Sequence, residues 1–180
     1  MSVIWLNGTI GSGKTAVGKK LAELLPRARF LDGDDYAGPE GLPNAERWRM
    51  AVDALLQAIL RRGHAKTLVV AYPLDDATYR RLRAACATAR RGLLVANLAP
   101  PLRMTLQGRG GRTLTAWERV RIRAMRSEGY HRRPFATVTL PNAQPPAVRT
   151  ARKLACLFAV SGGPGLAEKA PAGTSAGVVA

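Results

Sequence analysis

Residues 8–15 read GTIGSGKT, a full match to the pattern G-x-x-x-x-G-K-[ST]. A loop of this composition can cradle a chain of phosphates. Gly8, Gly11 and Gly13, with Ser12 between the last two, permit a tight bend whose backbone N–H groups turn inward onto phosphate oxygens. Lys14 would bring a mobile positive charge to the β- and γ-phosphates, and Thr15 a hydroxyl to Mg²⁺. A helix opening at Lys14 adds its positive N-terminal end. The loop follows a short apolar run and precedes a helical pattern, the setting such a cradle requires. The chain is therefore expected to bind ATP or GTP with Mg²⁺. Phosphoryl transfer demands alignment and charge stabilisation more than covalent chemistry. Carboxylates and arginines should then appear elsewhere in the chain.

They do. Asp32-Gly33-Asp34-Asp35 follows the second apolar run. Asp32 and Asp34 can divide two tasks, one orienting a metal-bound water and the other accepting a proton from a hydroxyl. Asp35 could replace either, so the division stays open. Asp75-Asp76 reads more simply as the cap and first-turn charge of a helix. Arg47 and Arg49 flank Trp48 at the start of a helix and could meet an anionic or polyhydroxylated molecule, or only solvent. Tyr72 either touches that molecule or merely ends a strand.

Residues 108–134 form an expected mobile lid, a glycine-hinged loop and then a basic helix. Thr115 and Glu118 have the spacing of a capping box. Arg119, Arg123 and Arg126 share a helix face. A closing element of this kind excludes water and supplies an arginine to the transferring group. Arg109 and Arg112 are the first candidates, followed by Arg123 and Arg126. His64 and His131 stand alone and read as surface or packing residues.

The elements that must hold these groups alternate. Strands are expected at 3–6, 29–31, 67–72, 93–98 and 137–140. Helices are expected at 14–25, 45–60, 76–90, from 101, at 115–127 and at 147–159. Strands separated by helices imply a parallel sheet covered on both faces. One domain spans residues 1–160, and the Gly/Ala/Pro-rich residues 161–180 read as a disordered tail.

Composition excludes several classes. Of 180 residues, 47% are hydrophobic, and no apolar run nears the roughly 18 residues of a membrane span. A cytoplasmic protein with no membrane partner is the expectation. Cys86 and Cys156 form no metal or disulfide pattern and read as small core residues. The net charge of +16 invites a nucleic-acid reading. Its arginines, however, are spread along the chain rather than clustered, so nucleic acid is not the expected main partner.

The opening IWLNGTIGSGKT, the stretch FLDGDD, the segment LPNAERWR and the closing TLPN together resemble the small P-loop metabolite kinases. That group includes shikimate kinase, gluconate kinase, chloramphenicol phosphotransferase and the tunicamycin-resistance proteins. The resemblance covers about residues 1–160. It implies an α/β, three-layer P-loop NTPase fold of nucleoside-monophosphate-kinase type, with a five-stranded parallel sheet. It also implies Asp32 in the Mg²⁺ shell and Asp34 as acceptor ligand or base. Arg47 and Arg126 would hold the acceptor, Arg109 and Arg112 would be lid arginines, and Asn142 would lie near the nucleotide base. The stretch VVAYPLDD replaces the glycine-rich loop that shikimate kinase turns to its acceptor, which argues against shikimate. The gluconate-kinase lid is not reproduced either.

The expected activity is transfer of the terminal phosphoryl group to a hydroxyl of a small molecule, an antibiotic among the candidates. Two other readings stay open: a nucleoside or nucleotide kinase, and a protein that binds nucleotide and a ligand or nucleic acid without catalysis.

Overall fold

A computed structural model describes residues 1–61, 63–108, 111–143 and 146–161. Strand and helix alternate as β1 (Ser2–Asn7), α1 (Lys14–Leu24), β2 (Ala28–Asp32), α2 (Asn44–Leu60), β3 (Thr67–Ala71), α3 (Asp76–Thr88) and β4 (Gly92–Leu98). Then come α4 (Leu102–Leu106), α5 (Ala116–Ser127), β5 (Val138–Leu140) and α6 (Ala147–Ser161). The five strands lie in the order β2-β3-β1-β4-β5, every pairing parallel. The three-layer α/β architecture expected from the sequence is the one found.

The period of two along each strand sorts the apolar residues between two cores. Val3 and Trp5 of β1 face the layer formed by α2 and α3, where Val52, Leu55, Ile59 and Leu82 are buried. Ile4 and Leu6 face the opposite layer, against Val17 and Leu21 of α1 and Leu154 of α6. A strand buried on both faces has to be apolar throughout, and β1 and β3 are nearly so. The exception on β1 is Asn7, fully buried at its carboxyl end. Its amide donates to Asn97 Oδ1 on β4 (2.8 Å) and to the Tyr130 carbonyl (3.0 Å), and its oxygen accepts from Leu74 N (2.8 Å). One side chain thereby ties β4 and the loops carrying Leu74 and Tyr130 to the edge where the phosphate-binding loop begins.

Thr115 and Glu118 form the expected capping box at the start of α5. Asp75 caps α3 through Thr78 N at 2.7 Å, as read from the sequence. Helix α6 runs on to Ser161, past the expected end at 159; residues 162–180, read as the tail, lie outside the described residues. Cys86 is buried, but Cys156, expected in the core, is exposed. The buried stripe of α6 passes through Ala151 and Leu154, and position 156 falls on the other side. Among the described residues no helix is long and apolar enough to cross a membrane.

Candidate active site

The loop from Gly8 to Lys14 leaves β1, the middle strand of the sheet, and runs straight into α1. Gly13, at the N-cap of α1, has φ 91°, a left-handed conformation that a side chain would strain. Lys14 folds back over the loop, its Nζ donating to the carbonyls of Thr9 (2.9 Å) and Gly8 (3.2 Å). Burial lowers the Lys14 ammonium to about 8, against the upward pull of Asp34 and Asp32; Arg112 adds to the lowering.

Asn142 supports the loop from beneath. Its side-chain nitrogen donates to the Ser12 carbonyl at 2.6 Å, and its oxygen accepts from the Thr150 hydroxyl of α6 at 2.8 Å. The residue is buried and has φ 34°, a region that asparagine tolerates better than most side chains. Asn142, expected beside a nucleotide base, lines the first cavity and has each end of its amide bonded to the protein, which holds the loop.

Asp32 ends β2 and caps the short 3₁₀ turn Gly33–Tyr36, its Oδ1 accepting from Asp34 N at 3.3 Å. Gly33 is required by contact: a Cβ there would lie 2.0 Å from the Tyr72 ring. Tyr72 itself is held by the Trp5 indole, which donates to its carbonyl at 2.7 Å, and by stacking on Trp48 at 4.7 Å. Asp34 therefore projects from a turn fixed by the end of β3. Loss of water around its carboxyl raises the Asp34 pKa, and Asp32 raises it further, with Lys14 and Arg112 opposing.

Two cavities meet at this turn. The first, about 730 Å³, is lined by Gly11, Gly13, Lys14, Thr15, Asp32, Asp34, Arg112 and Asn142. The second, about 630 Å³, is lined by Asp34, Arg47, Trp48, Tyr72, Asp75, Trp117, Arg121 and Tyr130. Asp34 and Tyr72 belong to both walls, whereas Asp35 belongs to neither. In the first cavity Thr15 and Asp32 offer hard oxygen donors, the set that suits Mg²⁺ when phosphates and water complete its shell. No group of three or more potential His, Cys, Asp or Glu ligands occurs among the described residues.

The arginines divide. Arg112 lines the first cavity and pairs with Glu118, the capping residue of α5. Arg47 lines the second, its Nε donating to the Gly38 carbonyl at 3.0 Å. Arg126, expected at the acceptor, turns away and donates to the Pro100 carbonyl at 3.2 Å. Arg123 reaches only the Arg119 carbonyl, and Arg119 the Leu106 carbonyl. Arg109 lies outside the described residues. Arg121, rather than Arg126, lines the second cavity, on the face of α5 that also carries Trp117 and Met125. That face was legible as an i, i+4, i+8 series, but the more conspicuous arginine stripe 119/123/126 drew the sequence reading off it.

The fold is shared with small-molecule kinases. Shikimate kinase from Acinetobacter baumannii, solved in complex with shikimate, is 25% identical and superposes with a TM-score of 0.66, covering 90% of this chain and 95% of that one. A gluconokinase from Sinorhizobium meliloti 1021 is 21% identical with a TM-score of 0.67, covering 90% and 98%. The tunicamycin resistance protein of Deinococcus radiodurans is 22% identical with a TM-score of 0.60, covering 87% and 95%. No protein-family model and no curated protein sequence matches the chain.

Proposed function

We propose that this chain is a kinase that moves the terminal phosphoryl group of ATP or GTP to a hydroxyl of a small molecule. One observation carries the reading: Asp34 stands in the wall common to two cavities, one lined by most of the phosphate loop and the other reached by that loop only at Ile10. A donor and an acceptor placed in those cavities would meet at a carboxylate.

In this scheme the triphosphate replaces the Gly8 and Thr9 carbonyls as partner of Lys14, and the loop N–H groups take its oxygens. The acceptor hydroxyl attacks the terminal phosphorus while Asp34 takes its proton. The bond from that phosphorus to its bridging oxygen breaks, and the nucleoside diphosphate leaves. A carboxylate whose pKa is raised holds a proton more readily than an ordinary one, which suits a general base. Lys14 and Arg112 offset the negative charge gathered around the transferred group. Thr15 and Asp32 would hold Mg²⁺, which when bound neutralises phosphate charge. Asn142 holds the loop through the Ser12 carbonyl, whereas Lys14 has to leave its two carbonyls to reach the phosphates.

Incubation with Mg-ATP or Mg-GTP and a panel of sugars, nucleosides and alcohol-bearing antibiotics tests the proposal. An added phosphate mass on an acceptor is expected. Asp34→Asn lowers turnover by about 10²–10⁴-fold with the triphosphate still bound. Full turnover by Asp34→Asn removes it as the base. Binding of nucleotide and ligand with no phosphorylated product favours a non-catalytic binding protein.

A further inference from the structure

The walls of the second cavity are aromatic to a degree that phosphoryl transfer alone does not demand. Trp48, Tyr72, Trp117 and Tyr130 all line it, with Met125 beside them. Tyr72 and Tyr130 are buried and offer little more than an edge. Trp48 is half-buried, stacked on Tyr72 with its remaining surface turned outward. Trp117 is 56% exposed on α5 and borders both cavities. An indole left in water at the mouth of a chamber gains free energy from any flat apolar body that covers it.

The charged groups of the same cavity point in a consistent direction. Both arginines already have partners: Arg121 pairs with Glu128 at 2.7 Å, and Arg47 donates from Nε to the Gly38 carbonyl at 3.0 Å. Two carboxylates, Asp34 and Asp75, border the space. Asp75 Oδ1 accepts from Thr78 N, and its other oxygen has no partner among the described residues. An acceptor carrying its own carboxylate would face these two like charges, with the Arg121 guanidinium already shared with Glu128. An uncharged ring meets neither obstacle.

Resting on the kinase reading above, we propose that the acceptor is an uncharged alcohol built on an aromatic ring, seated against Trp48 and Trp117 with its hydroxyl at Asp34. Nucleosides and plain aryl alcohols share this chemistry, and both belong in the test. Calorimetric titration of the full chain, with Mg²⁺ and with or without a non-hydrolysable ATP analogue, compares phenethyl alcohol, naphthaleneethanol, adenosine and cytidine against gluconate and shikimate. The ring alcohols of at least one source bind about tenfold more tightly than the hydroxy acids. Trp48→Ala weakens that binding about tenfold and Trp48→Phe restores most of it, with the nucleotide titration as the control for folding. Tighter binding of the hydroxy acids, no binding of any ring alcohol, or equal loss in Trp48→Ala and Trp48→Phe overturns the proposal. Selective binding of nucleosides assigns the ring to a nucleobase, and selective binding of the aryl alcohols assigns it to a simpler ring; either upholds the proposal. Mass spectrometry on the same mixtures with ATP separates the two claims. Ring binding without any phosphorylated product rejects the kinase while leaving the ring selectivity in place.

Discussion

Asn142 Nδ2 lies 2.6 Å from the carbonyl oxygen of Ser12, a residue 130 positions earlier and fully buried in the phosphate loop. The bond joins the segment that follows β5 to the cradle and makes the loop's shape depend on the far end of the domain. Asn142→Ala leaves the Ser12 carbonyl and the Thr150 hydroxyl without this partner, and puts an alanine at positive φ. A loss of about 1–3 kcal/mol is expected in urea unfolding. Triphosphate affinity, measured by calorimetry, falls as well. Thr150→Val removes only the outer of the two bonds and should cost less on both scales. Equal affinities for all three proteins would separate the loop from its support.

Gly33→Ala is a test of packing. The new methyl would sit 2.0 Å from the Tyr72 ring, which is buried and stacked on Trp48. Overpacking of this kind costs about 1–3 kcal/mol, and Asp32 and Asp34 are displaced with the turn. Combining Gly33→Ala with Tyr72→Ala is expected to be far from additive, because the second change removes the clash. Additive losses in denaturant midpoints would show that the turn and the ring are not in contact.

Acidity follows from Lys14. Its folded pKa of about 8 is below the ordinary 10.5, and a bound triphosphate must raise it again by favouring the ammonium. Affinity is therefore level below about 8 and falls above it by up to about tenfold per pH unit, with proton uptake on binding. The effect on stability has the opposite sense. Between about 8 and 10.5 the unfolded chain binds more protons at this lysine, so its contribution to stability rises with pH. Because Asp34 is the strongest upward influence on Lys14, Asp34→Asn moves the fall in affinity to lower pH. Titrations in buffers of different ionisation enthalpy read the proton count directly.

Low pH tests Asp34 as the proposed base. The Asp34 carboxyl is raised by burial and by Asp32, so kcat should fall at a higher pH than an ordinary aspartate would give. In the Mg²⁺-free protein Asp32→Asn removes one of the two causes, so the Asp34 carboxyl followed by NMR titrates lower. An unmoved Asp34 titration in Asp32→Asn would show that the two carboxylates do not interact.

Arg121 and Arg126 separate by position. Arg121→Ala, which opens one wall of the second cavity, is expected to raise KM for the acceptor about twofold to threefold and leave KM for the nucleotide alone. Arg126→Ala loses its bond to the Pro100 carbonyl and should leave both KM values near those of the parent. Steady-state kinetics with both substrates varied discriminates them, and a reversed pattern returns Arg126 to the site.

What the sequence disclosed, and what it withheld, follows from range. The GTIGSGKT loop, the Thr115–Glu118 capping box and the Asp75 cap are built from neighbours in the chain, so their spacing is their geometry. The sheet was readable because strands buried on both faces must be apolar. The choice of Arg121 over Arg126 depends on how α5 is rotated, and that is set by Ile122 and Met125 seeking burial. Likeness placed Asn142 near the nucleotide base, but its partnership with Ser12 spans the whole domain and leaves no local spacing to read. Trp117 looked like an ordinary residue of a basic helix because an exposed indole has no periodic signature of its own.

The two chambers draw most of their walls from separate stretches of chain, the first from the turn into α1 and the segment around Arg112, the second from the opening of α2 and one side of α5. Exchanges at Trp48 or Arg121 can therefore alter which alcohol is accepted without disturbing the grip on phosphate. A scaffold partitioned in this manner lends itself to retargeting: libraries confined to positions 44–48, 121 and 125 would search new acceptors against an unchanged engine.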